Sequence, residues 1–141
     1  MRDLAIQTRL MIKRHPWYAA LYHTRPPAGP HLMARLEFML ALLTGASTAA
    51  AMTYAALIDR HILGSALQEA EEAQMSRRHG LDDAASLEDA LAVVRNLAGA
   101  GGYPRLAGWL ARPAGPSADE QFGLGLGFLL DGIATRLPAR P

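Results

Sequence analysis

The sequence predicts an all-α fold, and three observations carry that prediction. Alanine and leucine dominate while β-branched residues are few, which is a helix-forming balance. Apolar residues recur at spacings of three and four along several segments, as a helix with one buried face requires. Clusters of proline and glycine interrupt those segments and set their limits. A chain of 141 residues is long enough to bury one core and short for two, so a single domain over residues 1–141 is expected.

Residues 3–14 form a first short helix, with Leu4, Ala5, Ile6, Leu10 and Met11 apolar against Arg9, Lys13 and Arg14. Pro16 pushes His15 out of the helical region and itself suits the first turn of a brief second helix, Trp17 to His23. The run Arg25-Pro-Pro-Ala-Gly-Pro30 ends it as a rigid loop, because proline fixes φ and removes a donor. A third helix is expected from Pro30 to Thr44, with Leu32, Leu36, Met39 or Leu40, and Leu43 along one side and Gly45 as its cap. Ser47 or Thr48 caps the next helix, a rod reaching about Arg77 and on the order of 45 Å long at ~1.5 Å per residue. Its first half is alanine-rich and nearly neutral, whereas Glu69, Glu71, Glu72, Arg77 and Arg78 turn its end to solvent.

Gly80 closes the rod, and residues 81–85 connect it to a half-buried helix opened by a Ser86/Asp89 capping box and carrying Leu87, Leu91, Val94 and Leu97. Glycine loses the most entropy on ordering, so Gly99-Ala-Gly-Gly102 reads as a flexible break. Tyr103-Pro104 restarts a short helix with Leu106, Trp109 and Leu110, and Arg112-Pro-Ala-Gly-Pro116 ends it. The last helix has the cleanest pattern: Ser117 and Glu120 make a capping box, and Phe122, Leu126, Leu129, Leu130, Ile133 and Leu137 share a face.

Composition excludes several functions. A net charge of +1 gives no field that would draw this chain alone onto nucleic acid phosphates. With no cysteine there is no disulfide scaffold, thiolate nucleophile or cysteine zinc site, which suits a reducing cytoplasm. The N-terminus lacks the apolar run and cleavage site of a signal peptide. Phe38 to Ile58 is uncharged and long enough to cross a bilayer, but Thr44-Gly-Ala-Ser-Thr48 at its middle reads as a turn and a new helix start, so no membrane contact is expected.

The order of the pieces resembles the C-terminal effector-binding and dimerisation half of the tetracycline-repressor (TetR) family. The resemblance rests on Tyr22-His-Thr-Arg-Pro-Pro27, the helix with Leu36-Glu37, the long helix through Ile62-Leu-Gly-Ser-Ala-Leu-Gln-Glu-Ala-Glu-Glu-Ala73, and the closing Asp119-Glu-Gln-Phe-Gly-Leu-Gly-Leu-Gly-Phe-Leu-Leu-Asp-Gly-Ile133. It spans nearly the whole chain, and nothing in the sequence resembles the three-helix DNA-binding head that precedes this half in that family. The resemblance implies that the long and closing helices pair with their copies in a second subunit as a four-helix bundle, while the earlier helices enclose a small apolar ligand. It also implies that the magnesium–drug chemistry of tetracycline repressors proper does not carry over. Their histidine and glutamine correspond to Leu21 and Met39 here, neither of which suits a hard cation.

The closing helix supports a subunit contact independently. Gly123 and Gly127 lie one turn apart and cost roughly 1 kcal/mol each against alanine, a cost that close approach of another helix would offset. The expected homodimer interface comprises Asp59, Leu63, Leu67, Phe122, Gly123, Leu126, Gly127 and Leu130. The alternative is that these glycines face a neighbour within the same chain.

A ligand cavity needs large apolar walls and a few orienting polar groups, which selects Trp17, Tyr18, Tyr22, Met33, Met39, Tyr54, His61, Trp109 and Phe122. Each aromatic is equally what a core needs. Tyr54 and His61 lie seven apart on one helix face and can converge on one cavity. Asp59, Arg60 and His61 interrupt an apolar stretch, and interface hydrogen bonds are the preferred account. The histidines are scattered and no catalytic pairing has convincing spacing, so neither metal, cofactor nor enzymatic activity is expected. The expected function is ligand sensing and dimerisation for a transcriptional regulator, with a small hydrophobic effector. The alternatives are a free-standing sequestering protein or cofactor-independent enzyme on the same fold, and a pure interaction module without a cavity.

Overall fold

Helix starts and stops follow the local chemistry. The computed structural model describes residues 1–24, 29–79, 84–112 and 115–138. Within them lie α1 (Arg2–Arg14), α2 (Pro16–Thr24), α3 (Pro30–Leu42), α4 (Thr48–His79), α5 (Ala84–Ala100), α6 (Pro104–Leu110) and α7 (Ala118–Ala134), and no strand. Asp3 stands in the first turn of α1 and Lys13 and Arg14 in its last, each complementing the helix dipole. Pro16, Pro30 and Pro104 all open helices, where a missing N–H costs nothing.

The turn between α3 and α4 decides the fold of the uncharged stretch from Phe38 to Ile58. α3 stops at Leu42, and Gly45 takes a φ of 91°, a left-handed conformation that favours glycine. The Ser47 hydroxyl oxygen then accepts from the Ala50 N–H at 3.3 Å, capping α4. The stretch is therefore two helices. Among the described residues no helix is long and apolar enough to cross a membrane.

Packing divides the chain into two compact units: Met1–Ala70 with the chain from Ala118 onward, and Glu71–Ser117. The first holds the main core, where Ile12, Met39, Ile58, Ile62 and Leu126 are fully buried among Ala5, Ala19, Ala51, Ala55, Ala66 and Phe122. Alanine at so many buried positions of α4 lets neighbouring helices approach closely. In the second unit α5 packs on α6, the Arg95 Nε donates to the Leu110 carbonyl at 3.1 Å, and Arg95 also pairs with Glu88.

Two boundaries differ from the sequence reading. The helix α5 already begins at Ala84, so Ser86 lies inside it and does not cap it. It also continues through Gly99 to Ala100, because its hydrogen bonds run on until Gly101, and the break is confined to Gly101 and Gly102, the latter at φ 72°. Of the loop expected at 25–30, the connector expected at 81–85 and the proline break expected at 112–116, residues 25–28, 81–83 and 113–114 lie outside the described residues, as does the stop at Gly80, while residues 84–85 already belong to α5.

Candidate ligand-binding cavity

Three helices contribute to an open cavity of about 320 Å³ within the first unit. On α3, Leu32, Arg35 and Leu36 follow one another at helical spacing, and on α4 so do Met52, Ala56, Asp59, Arg60 and Leu63. Tyr22 reaches in from the end of α2. The volume lies at the lower end of that of small-molecule sites, and the mixture of aliphatic walls with a few polar groups is typical of them.

The polar groups are organised around one ion pair. Arg35 Nη2 donates to Asp59 Oδ1 at 2.5 Å and Nη1 to Oδ2 at 3.1 Å, a bidentate fork joining α3 to α4. Both side chains are 18 % exposed, so the pair is shielded well enough for its hydrogen bonds to matter. Burial pulls the Arg35 pKa down, but the hydrogen bonds and charge of Asp59 outweigh it and hold the guanidinium above its ordinary value. Burial, reinforced by the Asp59 charge, raises the Tyr22 pKa, so its hydroxyl stays neutral and able to donate at pH 7. Arg35 Nε is buried and has no hydrogen-bond partner among the described residues. Arg60, on the same rim, makes no ion pair among the described residues.

A second polar cluster fastens α1. Arg9, 5 % exposed, donates to Glu69 Oε1 through Nε at 3.0 Å and through Nη2 at 2.5 Å, and to Asp119 Oδ1 at 2.7 Å. Its guanidinium carbon lies 4.6 Å from the centre of the Phe122 ring, a cation–π contact. Lys13 Nζ adds a 3.0 Å pair to Glu69 Oε2. One arginine thereby ties α1 to both α4 and α7.

The structure sorts the sequence candidates. Tyr22 lines the cavity, and Tyr18 borders a smaller recess that shares Tyr22, Arg35, Asp59 and Leu63 with it. Trp17, Met33 and Trp109 are exposed, and Met39 is wholly buried in the core. Tyr54 packs against that core, and His61 stacks on Phe122 with its Nε2 3.0 Å from the Phe122 carbonyl oxygen. Tyr54 and His61 thus share a face of α4, but the cavity uses the neighbouring face, so they do not converge on it. The residues that sequence reasoning missed are Leu32, Arg35, Leu36, Met52, Ala56 and Arg60. Their signal is the i, i+3, i+4 spacing on two consecutive helices, broken by one charge on α3 (Arg35) and two on α4 (Asp59 and Arg60).

The expected interface set is likewise divided. Phe122, Leu126 and Leu63 are buried within the chain, Leu67 packs partly buried against the same core, and Asp59 is committed to Arg35. The apolar residues that α7 leaves at the surface are Leu124 and Phe128, the latter 75 % exposed, while Leu130 is half-buried. A Cβ at Gly123 would meet nothing within 4 Å, and one at Gly127 only the tip of Arg2 at 3.8 Å. Gly125 is different: a Cβ there would fall 2.5 Å from the His61 ring, so this glycine is required by a neighbour in the same chain.

Comparison with known proteins follows the same outline. Residues 1–137 match the family described as tetracyclin repressor-like, C-terminal domain. The chain is 29 % identical over 142 aligned residues to the HTH-type transcriptional repressor DrrR1 of Streptomyces coeruleorubidus, covering 99 % of this chain and 52 % of that protein. It is 35 % identical over 130 residues to an HTH-type transcriptional regulator of Saccharopolyspora erythraea, covering 91 % of this chain and 51 % of that one. The chain thus spans about half the length of these relatives, whose names are those of transcriptional regulators and not of enzymes. No solved structure matches significantly.

Proposed function

The chain belongs to the tetracycline-repressor-like family through that family's C-terminal domain, and on this premise we propose that it senses a small, largely apolar molecule and dimerises to relay that binding to a DNA-binding helix-turn-helix. The observation that carries the sensing half is the cavity bounded by α2, α3 and α4, with aliphatic walls and a polar end at Tyr22, Arg35, Asp59 and Arg60. The dimerising half is supported by the exposed Leu124 and Phe128 on α7, by Leu57 on α4, and by the open space beside Gly123. The DNA-binding partner of this domain is the helix-turn-helix that the relatives' names describe, and a cytoplasmic location follows from that role.

Such a ligand acts by favouring one packing of the dimer over another, since only differential affinity for two states shifts their balance. The Arg9 clamp gives the ligand-bearing helix a route to α1, because α4 supplies both Asp59 at the cavity and Glu69 at the clamp. Thermal unfolding against a broad library of apolar and amphipathic compounds tests the reading. A true ligand at a hundred times its dissociation constant adds about 2.7 kcal/mol of stability. A library without a stabilising compound contradicts it and favours an interaction module.

A further inference from the structure

The charges at the polar end of the cavity do not balance. Arg35 and Arg60 both line it, and Asp59 is the carboxylate facing them. Both Asp59 oxygens accept from the two terminal nitrogens of Arg35, and Asp59 forms no ion pair with Arg60. Arg60 pairs with no other acid among the described residues, and Arg35 Nε is a buried donor with no acceptor. The recess beside it, about 10 Å³ and bordered by Tyr18, Tyr22, Arg35 and Asp59, has room on the scale of a single oxygen-sized group. The polar end therefore offers donors and a surplus positive charge, while Leu32, Leu36, Met52 and Leu63 offer nothing to a polar body.

We infer that the effector is an acidic amphiphile, a molecule with an aliphatic or aromatic body and one ionised oxygen group, a carboxylate or an acidic phenol, which docks against Arg60 and Arg35. The inference rests on the sensing role proposed above and narrows it from any hydrophobic compound to an anionic one. Guanidinium donors favour carboxylate oxygens by geometry as well as charge. An ammonium group is disfavoured, because the carboxylate it would seek is already taken by Arg35.

Two matched probe series decide the matter by isothermal titration at pH 7.5: octanoate, octanamide and octylammonium, and 2-naphthoate, 2-naphthamide and 2-naphthylmethylammonium. The acid is expected to bind at least tenfold more tightly than the amide or amine of its series. Arg60→Gln, at an exposed position outside the core, is expected to weaken the acid far more than the amide and so bring the two within about twofold. The unfolding temperature of the variant serves as its folding control. Equal or tighter binding of the amide or amine overturns the acidic-group inference and leaves the sensing role standing. Binding by no probe of either series also overturns it. The sensing role itself falls only if the compound library gives no stabilisation.

Discussion

At the scale of the residue, the chain separates glycines that serve the fold from glycines that leave room. Gly125 lies against the imidazole of His61, which stacks on Phe122 and sits within hydrogen-bonding distance of its carbonyl oxygen. Gly125→Ala is expected to displace that ring and lower stability by about 1–3 kcal/mol, measured by chemical denaturation. The preference of alanine over glycine in helices offsets roughly 1 kcal/mol of it. The turn residues Gly45 and Ser47 were legible in the sequence because their roles are local: one takes positive φ and the other caps the helix that follows. The pairing of Arg35 with Asp59 was not, since it depends on how α3 folds back on α4 across a 24-residue separation. The composition of the cavity follows the same long-range packing: apart from Tyr22 its apolar walls are leucine, methionine and alanine, while Trp17 and Trp109 lie at the surface and Phe122 in the core.

At the scale of the element, α1 is held by charge as well as by its apolar face, where Ala5 and Ile12 are buried in the core. The Asp119 carboxyl, in the first turn of α7, is kept below the ordinary aspartate range by its hydrogen bond from Arg9, by the charges of Lys13 and Arg9, and by its hydrogen bond from Lys13. A carboxyl whose pKa is lower in the folded state stabilises fully above its unfolded pKa, and the contribution disappears as pH falls through the folded value. Melting temperature is therefore expected to fall as pH drops below about 4. Asp119→Asn should flatten that part of the profile and leave the neutral region less stable than wild type. An unchanged acid profile in the variant would show that the clamp does not hold α1. Helix identity was readable from spacing throughout, yet the clamp was invisible, because nothing in a sequence reveals that residues 9, 69 and 119 meet.

At the scale of the whole molecule, the fold class and family follow from the order of the helices, while the apolar pattern does not say which face of α7 is left free for a partner. The residues with the strongest periodicity on α7, Phe122 and Leu126, are those the chain keeps for its own core. Periodicity marks a buried face without saying whose surface buries it. The small side chains left outside are the better reporters of a partner. A Cβ at Gly127 meets only the tip of Arg2 within its own chain, so Gly127→Leu should leave the unfolding temperature nearly unchanged at dilutions where the wild type is itself monomeric, yet convert a dimer to monomer by overpacking the contact and remove the concentration dependence of that temperature. Sedimentation velocity at micromolar concentration distinguishes the two, and a wild-type monomer would remove the dimer altogether.

The cavity is the point on which the sensing account turns, and Ala56 gives direct access to it. This residue lines the cavity and is exposed on α4, so a tryptophan there is expected to take up part of the open volume. The decisive measurement is the thermal stabilisation produced by the best library compound in wild type and in Ala56→Trp. At a ligand concentration a hundred times the wild-type dissociation constant, roughly 2.7 kcal/mol of stabilisation is expected in wild type and almost none in the variant, with the free proteins equally stable. Undiminished stabilisation of Ala56→Trp would place the ligand elsewhere and contradict it.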